Sequence, residues 1–466
     1  MKLAAVGALF AFALITGGWA QSPPAIPIPL DFFGIHMNEG PTGFTTPVLQ
    51  PIIIGSGAKG AATNWPYVET ARGTYTWKSL DAVAAFNKST GKPVFEGYQE
   101  QPMWAVGSNK VGCAVISGGI YSCPAAPSDV SMVTPCQQPL AGITTKDCIL
   151  KEFTHSMANR YKSTGIQDGC AASNPQCHGV IEMYEGQNEA PYWPGPGGCP
   201  AGSSCLPIAS FVQIEADRLS TIKDVDPNVK VCSPAFEPAA TPGGGSADIF
   251  IKTFLTNGGA EIPYDCWDFH ANGNTPEAQI ANVNVFKGYL DQYVPGGSAK
   301  ATIYATEAGR WGGCTNISDA DAQAYVGRIE LLYWSNNVRR HYWYGYSICA
   351  KLSNQPTSAT LTPAGIAYGN VESWMVGSTM TAGCTLSGSF WSCPLTLGNG
   401  HQALAVWYNV FQSTATAPYL PASQYTEYRD LSGTTTPVSG SVTLGEAPIL
   451  FEAGKSAGRD RGANCQ

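Results

Sequence analysis

Two glutamates that follow apolar runs are the residues of this sequence best suited to paired acid–base chemistry. Glu189 closes the segment Tyr-Glu-Gly-Gln-Asn-Glu at 184–189, and Glu307 lies within Tyr-Ala-Thr-Glu-Ala-Gly at 304–309. Each run is typical of a β-strand, so each carboxyl group is expected where its strand ends. Hydrolysis of a glycosidic bond requires two carboxyl groups flanking the anomeric carbon, one to protonate the departing oxygen and one to attack or to activate water. The pair therefore predicts a glycoside-cleaving site.

The neighbours of these glutamates favour the paired interpretation over two ordinary loop carboxylates. Asn188 can donate a hydrogen bond to a sugar hydroxyl beside the reacting carbon. Gly309 lets the chain turn away after Glu307, and Trp311 then offers an apolar face for an outer sugar subsite. The carboxylates that compete for the two roles are Glu96, Glu100, Glu185 and Glu237.

Further substrate-binding candidates lie at the ends of other predicted strands. His270, in Trp-Asp-Phe-His-Ala-Asn, can hydrogen-bond Glu307 or the sugar, or it can be a core histidine. His36, which ends the first predicted strand, has the same two interpretations. Trp343 on the last predicted strand favours stacking on a sugar, with a core role as the alternative. Tyr192 is expected to line an outer subsite.

Eight apolar runs alternate with helical patterns over most of the chain. Alternating strands and helices favour parallel βα units, and eight such units close a (β/α)8 barrel. The predicted strands are 32–37, 58–64, 93–98, 180–184, 229–234, 267–271, 302–306 and 341–346. The predicted helices are 79–87, 147–161, 208–225, 276–293 and 319–334, the last with Ser318 as its N-cap. The long loops 105–145 and 186–207 are expected on the catalytic face.

Past residue 370 the pattern changes to short strands rich in Thr and Val. Turn residues such as those at 398–400 separate them, which is typical of a small antiparallel β-sandwich. We expect a signal peptide at 1–20, a catalytic barrel at 21–365, a β-sandwich accessory domain at 366–455 and a flexible tail at 456–466.

The amino terminus predicts export. Lys2 precedes an apolar run at 3–15, and the small residues Gly18 and Ala20 predict cleavage near Ala20. The run is short for a membrane anchor, so we expect a secreted protein, extracellular or periplasmic. We also expect a monomer. A net charge of −8 and a pI near 5.3 argue against nucleic acid and fit a neutral carbohydrate partner.

Fifteen cysteines in an exported chain predict disulfides. Close sequence pairs suggest the bridges Cys113/Cys123, Cys136/Cys148, Cys170/Cys177, Cys199/Cys205 and Cys384/Cys393. No pair has the spacing of a zinc knuckle, so we expect no structural metal. We also expect no cofactor, because the two carboxyl groups can carry out the proton transfer and the nucleophilic attack.

With Asn188-Glu189 and Glu307 at these positions, the sequence resembles the retaining barrel enzymes of glycoside hydrolase clan A over roughly residues 30–350. Family 39 is nearest, and families 5, 30 and 51 are open. The segment 65–81 resembles the second βα unit of these enzymes, and 91–104 resembles their third strand. Their acid/base follows an asparagine on strand four, and their nucleophile ends strand seven.

The resemblance implies that Glu189 is the general acid/base, that Glu307 is the nucleophile, and that the reaction is a double displacement. Glu189 would then be protonated at rest and Glu307 ionised, with the carboxyl groups about 5–5.5 Å apart. The substrate would be a plant or microbial polysaccharide or oligosaccharide. Two alternatives stay open: a non-catalytic carbohydrate-binding barrel, and a transglycosylase that uses the same residues.

Overall fold

The structure is a computed structural model of the chain. The residues it describes are 22–37, 53–54, 65–81, 84, 94–98, 101–108, 114–117, 120–123, 127–130, 147–162, 181–188, 207–238, 246–310, 317–347, 349–354 and 360–453. The predicted signal peptide and carboxyl-terminal tail lie outside these residues.

A parallel β-barrel forms the centre of the molecule. Its eight strands are β1 Phe33–Met37, β2 Ile53–Ile54, β3 Val94–Tyr98, β4 Ile181–Gln187, β5 Lys230–Val231, β6 Trp267–Asn272, β7 Ile303–Gly309 and β8 Val338–Tyr344. They pair in the order β5-β4-β3-β2-β1-β8-β7-β6. Parallel bridges from Cys232 to Cys266 and from Phe236 to Phe269 join β5 to β6 and close the circle. The predicted (β/α)8 barrel is confirmed.

Amphipathic helices cover the outside of the barrel. The longer ones are α1 Cys148–Arg160, α2 Ile208–Val225, α3 Ser246–Thr256, α4 Pro276–Tyr293, α5 Asp319–Ser335 and α6 Pro363–Met375, and one-turn helices span Trp65–Val68 and Gly297–Lys300. Helices α2 and α4 have the predicted bounds. Ser318 caps α5 as predicted, since its hydroxyl accepts from Asp321 N at 3.1 Å while Asp321 accepts from Ser318 N.

Two predicted strands differ from the observed ones. Strand β2 is Ile53–Ile54, between β1 and β3, and the predicted strand 58–64 lies outside the described residues. Strand β8 begins at Val338, three residues before the predicted start. The prediction missed these residues because Arg340 breaks the apolar run. Its buried guanidinium is neutralised by Asp31 and by Glu182, which accepts from Nη2 at 2.9 Å.

Bulky side chains and a disulfide fill the lower part of the barrel. Met183, Tyr304 and Tyr342 pack there against the bridge between Cys232 and Cys266. This bridge is absent from the predicted pairs because its cysteines are 34 residues apart and meet only when β5 and β6 lie side by side. The predicted pair Cys384–Cys393 is confirmed, with an S–S distance of 2.06 Å. The partners of the remaining predicted pairs lie in part outside the described residues.

An antiparallel β-sandwich follows the barrel. Its strands are β9 Thr379–Met380, β10 Thr385–Ser387, β11 Phe390–Thr396, β12 Gln402–Tyr408, β13 Ala417–Tyr419, β14 Tyr425–Arg429, β15 Thr435–Pro437, β16 Val442–Leu444 and β17 Ile449–Ala453. One sheet has the order β9-β11-β12-β17-β14-β15, with β10 on β11, and β13 pairs with β16 in the other.

Helix α6 spans the predicted boundary between the two domains. Helix α6 runs through residue 365, and Tyr368 on it donates to Gly34 O of β1 at 3.0 Å, so the helix belongs to the barrel. Arg328 of α5 joins the two domains, donating to Glu446 O at 2.7 Å and to Glu277 at 3.2 Å. Among the described residues, no helix is both long and apolar enough to cross a membrane.

Candidate active site

Glu307 lies near the carboxyl end of β7, on the face of the barrel where the loops after the strands converge. Its side chain is 14% exposed, so the carboxylate is largely shielded but still reachable from the lumen. The neighbouring strand β6 brings His270 beside it, and the two residues are paired in the strand register after a shift at Phe269. The register of β6 and β7 therefore places these two side chains together.

The imidazole of His270 lies between two carboxylates. Its Nδ1 is 3.7 Å from Glu307 Oε2, and its Nε2 is 3.6 Å from Glu185 Oε1. Both distances exceed those of a good hydrogen bond, so the contacts are close electrostatic ones. The side chains of His270 and Glu185 are 1% and 4% exposed. Low solvent access strengthens the interaction of these charges relative to the same groups in water.

Asp268 lies beneath His270 on the same strand and completes a buried cluster with Glu185. One polar atom from each of the three side chains lies within 4.8 Å of the other two. Thr306 donates to both oxygens of Asp268, from its backbone N at 3.2 Å and from its hydroxyl at 2.5 Å. Burial, with the nearby Glu185 charge, raises the pKa of Asp268 well above its usual range.

The same three side chains are the group among the described residues whose geometry could hold a metal ion. Asp268 is already engaged at both oxygens by Thr306. His270 faces Glu307 with its other ring nitrogen. The cluster is therefore joined to β7 through both Thr306 and Glu307.

Helix α2 contacts the carboxyl end of β4 through a hydrogen bond. Glu215 on α2 accepts from Gln187 N at 3.2 Å and from Arg218 at 2.7 Å. This approach requires Gly186, because a Cβ there would lie 2.5 Å from Pro234 N and 2.6 Å from the carboxylate of Glu215. The chain segment that leads to Asn188 is thereby fixed. Asn188 is half-buried and follows directly after the last residue of β4.

Several predicted site residues cannot be placed. Glu189, Tyr192 and Trp311 lie outside the described residues, as does the competing Glu100. For His36 on β1 and for the competing Glu96 on β3, only the backbone is described. The competing Glu237 is half-buried after β5. The competing Glu185 is placed, and it faces His270.

Trp343 is buried like a core residue. Its side chain is fully buried and packs edge-on against Tyr325 of α5 at a centroid distance of 5.9 Å. Side chains alternate along a strand, so Trp343 faces the helices while Tyr342 and Tyr344 face the lumen. This environment favours the alternative interpretation of Trp343, a core role, over stacking on a sugar. Of these two lumen-facing aromatic residues, Tyr342 is buried, whereas Tyr344 is half-buried and ends β8.

Sequence reasoning also missed the contribution of Asp268 and treated Glu185 only as a competitor of Glu189. A signal for both was present, because each is an acidic residue inside an apolar strand pattern. Charged residues are rarely buried unless they are paired, so an acid in a barrel strand predicts a partner across the lumen.

Gly309 allows β7 and β8 to approach each other closely. It is the last residue of β7, and a Cβ there would lie 2.3 Å from Tyr344 O on β8. We expect Gly309→Ala to lower the free energy of unfolding by about 1–3 kcal/mol, since the added methyl group must push the two strands apart. Activity should fall as well, because Glu307 is two residues away. Urea unfolding and kcat/KM measure the two effects.

Gly288→Ala is the matched control for this substitution. Gly288 is exposed on α4, and nothing lies within 4 Å of the place that an added methyl group would occupy. The helix should gain about 0.5–1 kcal/mol from the alanine, and activity should be unchanged. Equal stability of Gly309→Ala and the unmodified protein would show that β7 and β8 do not need the glycine.

The fold of this chain is similar to those of several solved structures. No family model and no curated protein matches the chain. Among solved structures, a family 39 glycoside hydrolase from the gut symbiont Bacteroides cellulosilyticus WH2 is similar with a TM-score of 0.59 and 16% identity, over 91% of this chain and 81% of that one.

Two further structures give the same result. The GH51 arabinofuranosidase from Xanthomonas axonopodis pv. citri has a TM-score of 0.53 and 10% identity, and a family 44 xyloglucanase from Paenibacillus polymyxa has 0.52 and 14%. Each match covers 92% of this chain and 97% of the other. At these identities the likeness concerns the fold. The chain therefore has the fold of the clan A glycoside hydrolases, a (β/α)8 barrel with a carboxyl-terminal β-sandwich.

Proposed function

We propose that this protein is a secreted retaining glycoside hydrolase that cleaves a plant or microbial polysaccharide or oligosaccharide. The observation that carries the proposal is the position of Glu307, a shielded carboxylate at the carboxyl end of β7 beside the buried imidazole of His270. In a barrel of this kind, catalytic residues come from the carboxyl ends of the strands. The fold shared with glycoside hydrolases supports the same chemistry.

The proposed reaction proceeds in two displacements. The Glu307 carboxylate attacks the anomeric carbon while Glu189 donates its proton to the departing glycosidic oxygen, and a glycosyl ester forms on Glu307. Glu189 then removes a proton from water, which attacks the same carbon and releases the sugar with its original configuration. In this proposal Asn188, which lies directly after β4 and before Glu189 in the sequence, binds the neighbouring sugar hydroxyl.

The residues around Glu307 suit the role of nucleophile. His270 and the β6–β7 register hold its carboxylate at the mouth of the lumen, and orientation of a reacting group is a large part of catalysis. Tyr344 supplies an aromatic group on the lumen side of β8. We propose Tyr192, Trp311 and His36 as further contacts to the substrate, from their sequence positions.

Trapping of the covalent intermediate tests the proposal directly. A panel of aryl glycosides and polysaccharides first identifies the sugar that the purified protein hydrolyses. The matching 2-deoxy-2-fluoro glycoside with a good leaving group should then add one glycosyl mass to the protein, and peptide mapping should locate it on Glu307. A label on another carboxylate would contradict the assignment of the nucleophile.

Two further outcomes separate the alternatives. Absence of hydrolysis across the panel, with sugar binding retained, would indicate a non-catalytic carbohydrate-binding barrel. Transfer of the glycosyl group to added sugars in preference to water would indicate a transglycosylase. Analysis of products by mass and by NMR of the anomeric proton distinguishes these cases.

A further inference from the structure

Glu185 is a buried acid whose position the proposed reaction does not explain. It lies on β4, four residues before Glu189, and its side chain is 4% exposed. Its carboxylate faces His270 Nε2 at 3.6 Å, on the side of the imidazole opposite to Glu307. A buried carboxylate is costly unless an opposite charge or a hydrogen-bond donor compensates it. The imidazole of His270, when protonated, would provide the opposite charge.

The charges around His270 come from three strands. Among the described residues, Glu185 faces it from β4, Asp268 lies beside it on β6, and Glu307 faces it from β7. Asp268 is held at both oxygens by Thr306, and burial beside Glu185 favours its protonated form. Glu185 and Glu307 are the two carboxyl groups that face the ring nitrogens, one at each.

This arrangement favours a protonated imidazole. An imidazolium ion donates from both nitrogens, so it can face both carboxylates at once, whereas a neutral imidazole can donate to only one. Opposite charges within 4–6 Å favour the charged form of each partner. The positive charge would in turn favour the ionised form of Glu307, which is the form that a nucleophile requires.

We propose that Glu185 is a positioning residue that acts through His270, holding the imidazole protonated and oriented toward the carboxylate of Glu307. This inference rests on the proposed function for its catalytic consequence. The pairing of Glu185 with His270 can be tested independently of any substrate. Glu185 lies on β4 and Glu189 follows β4 in the sequence, so the proposed support of the nucleophile and the proposed acid/base belong to one segment of the chain.

The test follows the titration of the imidazole by NMR. The full-length protein is labelled with ¹⁵N-histidine, and the signal of His270 among the six histidines is identified by its loss in His270→Asn. In the unmodified protein the ring nitrogens should have imidazolium shifts through neutral pH. In Glu185→Gln the titration midpoint should fall by about two pH units, since a buried opposite charge has been removed.

Activity should respond in a matching way. The acidic limb of the kcat/KM profile should move to higher pH by about one unit in Glu185→Gln, so that kcat/KM on that limb falls about tenfold. KM at the pH optimum should change little. Glu185→Asp keeps the charge on a shorter side chain, so it should restore most of the imidazole titration. If Glu185→Gln fails to fold, the His270 titration and the pH profile are measured on Glu185→Asp instead.

Glu182→Gln is the matched control on the same strand. Glu182 lies three residues before Glu185 at the other end of β4 and pairs with Arg340 at 2.9 Å. This variant should lose some stability without moving either the His270 titration or the pH profile.

The outcomes separate the two proposals. An unchanged His270 titration in folded Glu185→Gln overturns the positioning role, whatever the activity. A shifted titration in a protein that hydrolyses no glycoside supports the pairing and overturns the proposed function. A shifted titration with an unmoved acidic limb overturns the link from the pair to Glu307.

Discussion

Glu307→Ala should lower kcat by a factor of about 10⁴ or more, because the group that forms the covalent bond to the sugar is removed. KM should change far less, since the sugar is bound mainly by other residues. Azide should restore part of the activity by entering the vacated space and attacking the anomeric carbon. The product should then be a glycosyl azide of inverted configuration, which NMR of the anomeric proton identifies.

Two control variants make this result specific. Glu307→Gln keeps the volume of the side chain but not its charge, so it should be inactive and respond poorly to azide. Glu237→Ala removes a half-buried competing carboxylate after β5 and should keep its activity. Unchanged turnover in Glu307→Ala would eliminate Glu307 as the nucleophile and would lead back to the competing carboxylates.

Glu189→Gln should produce an effect that depends on the leaving group. For substrates whose departing oxygen needs a proton, kcat/KM should fall by about 10²–10⁴-fold, which is the usual contribution of a general acid. For dinitrophenyl glycosides, whose leaving group departs without a proton, the loss in kcat/KM should be small. The basic limb of the pH profile should disappear, because that limb reports the ionisation of the acid.

Comparison of the three candidate acids Glu185, Glu189 and Glu237 completes this experiment. The leaving-group dependence should be confined to Glu189→Gln and absent from Glu185→Gln and Glu237→Gln. If Glu185→Gln showed it instead, Glu185 would be the acid, and its contact with His270 would need another explanation. A uniform loss across all leaving groups in Glu189→Gln would indicate a binding role for this residue.

Most of the barrel could be predicted because its signals are local. Helices α2 and α4 have the predicted bounds, since a periodic apolar face and a clear start and end lie within one stretch of sequence. The cap at Ser318 follows from a hydroxyl and an acid three residues apart. The position of Glu307 at a strand end follows from the apolar run before it.

The direction in which a strand side chain points does not follow from local patterns. Trp343 was expected in the lumen, but alternation along β8 places it against α5. A shift of one residue in strand register exchanges the two faces of a strand, and local patterns do not define the register of a strand that is buried on both sides. The charged start of β8 was missed for a related reason, since Arg340 is tolerated there only because Asp31 and Glu182 neutralise it.

The chain's local patterns thus suffice for the type of barrel, the order of its elements and the carboxylate on β7, because each depends on residues close together in sequence. The environment of that carboxylate does not follow from such patterns. His270, Glu185 and Asp268 come from two strands more than 80 residues apart, and their charges interact only because closure of the barrel brings them within 4.8 Å in a space with little water. The ionisation of these three groups depends on their being buried together, and the sequence of no single segment determines that arrangement.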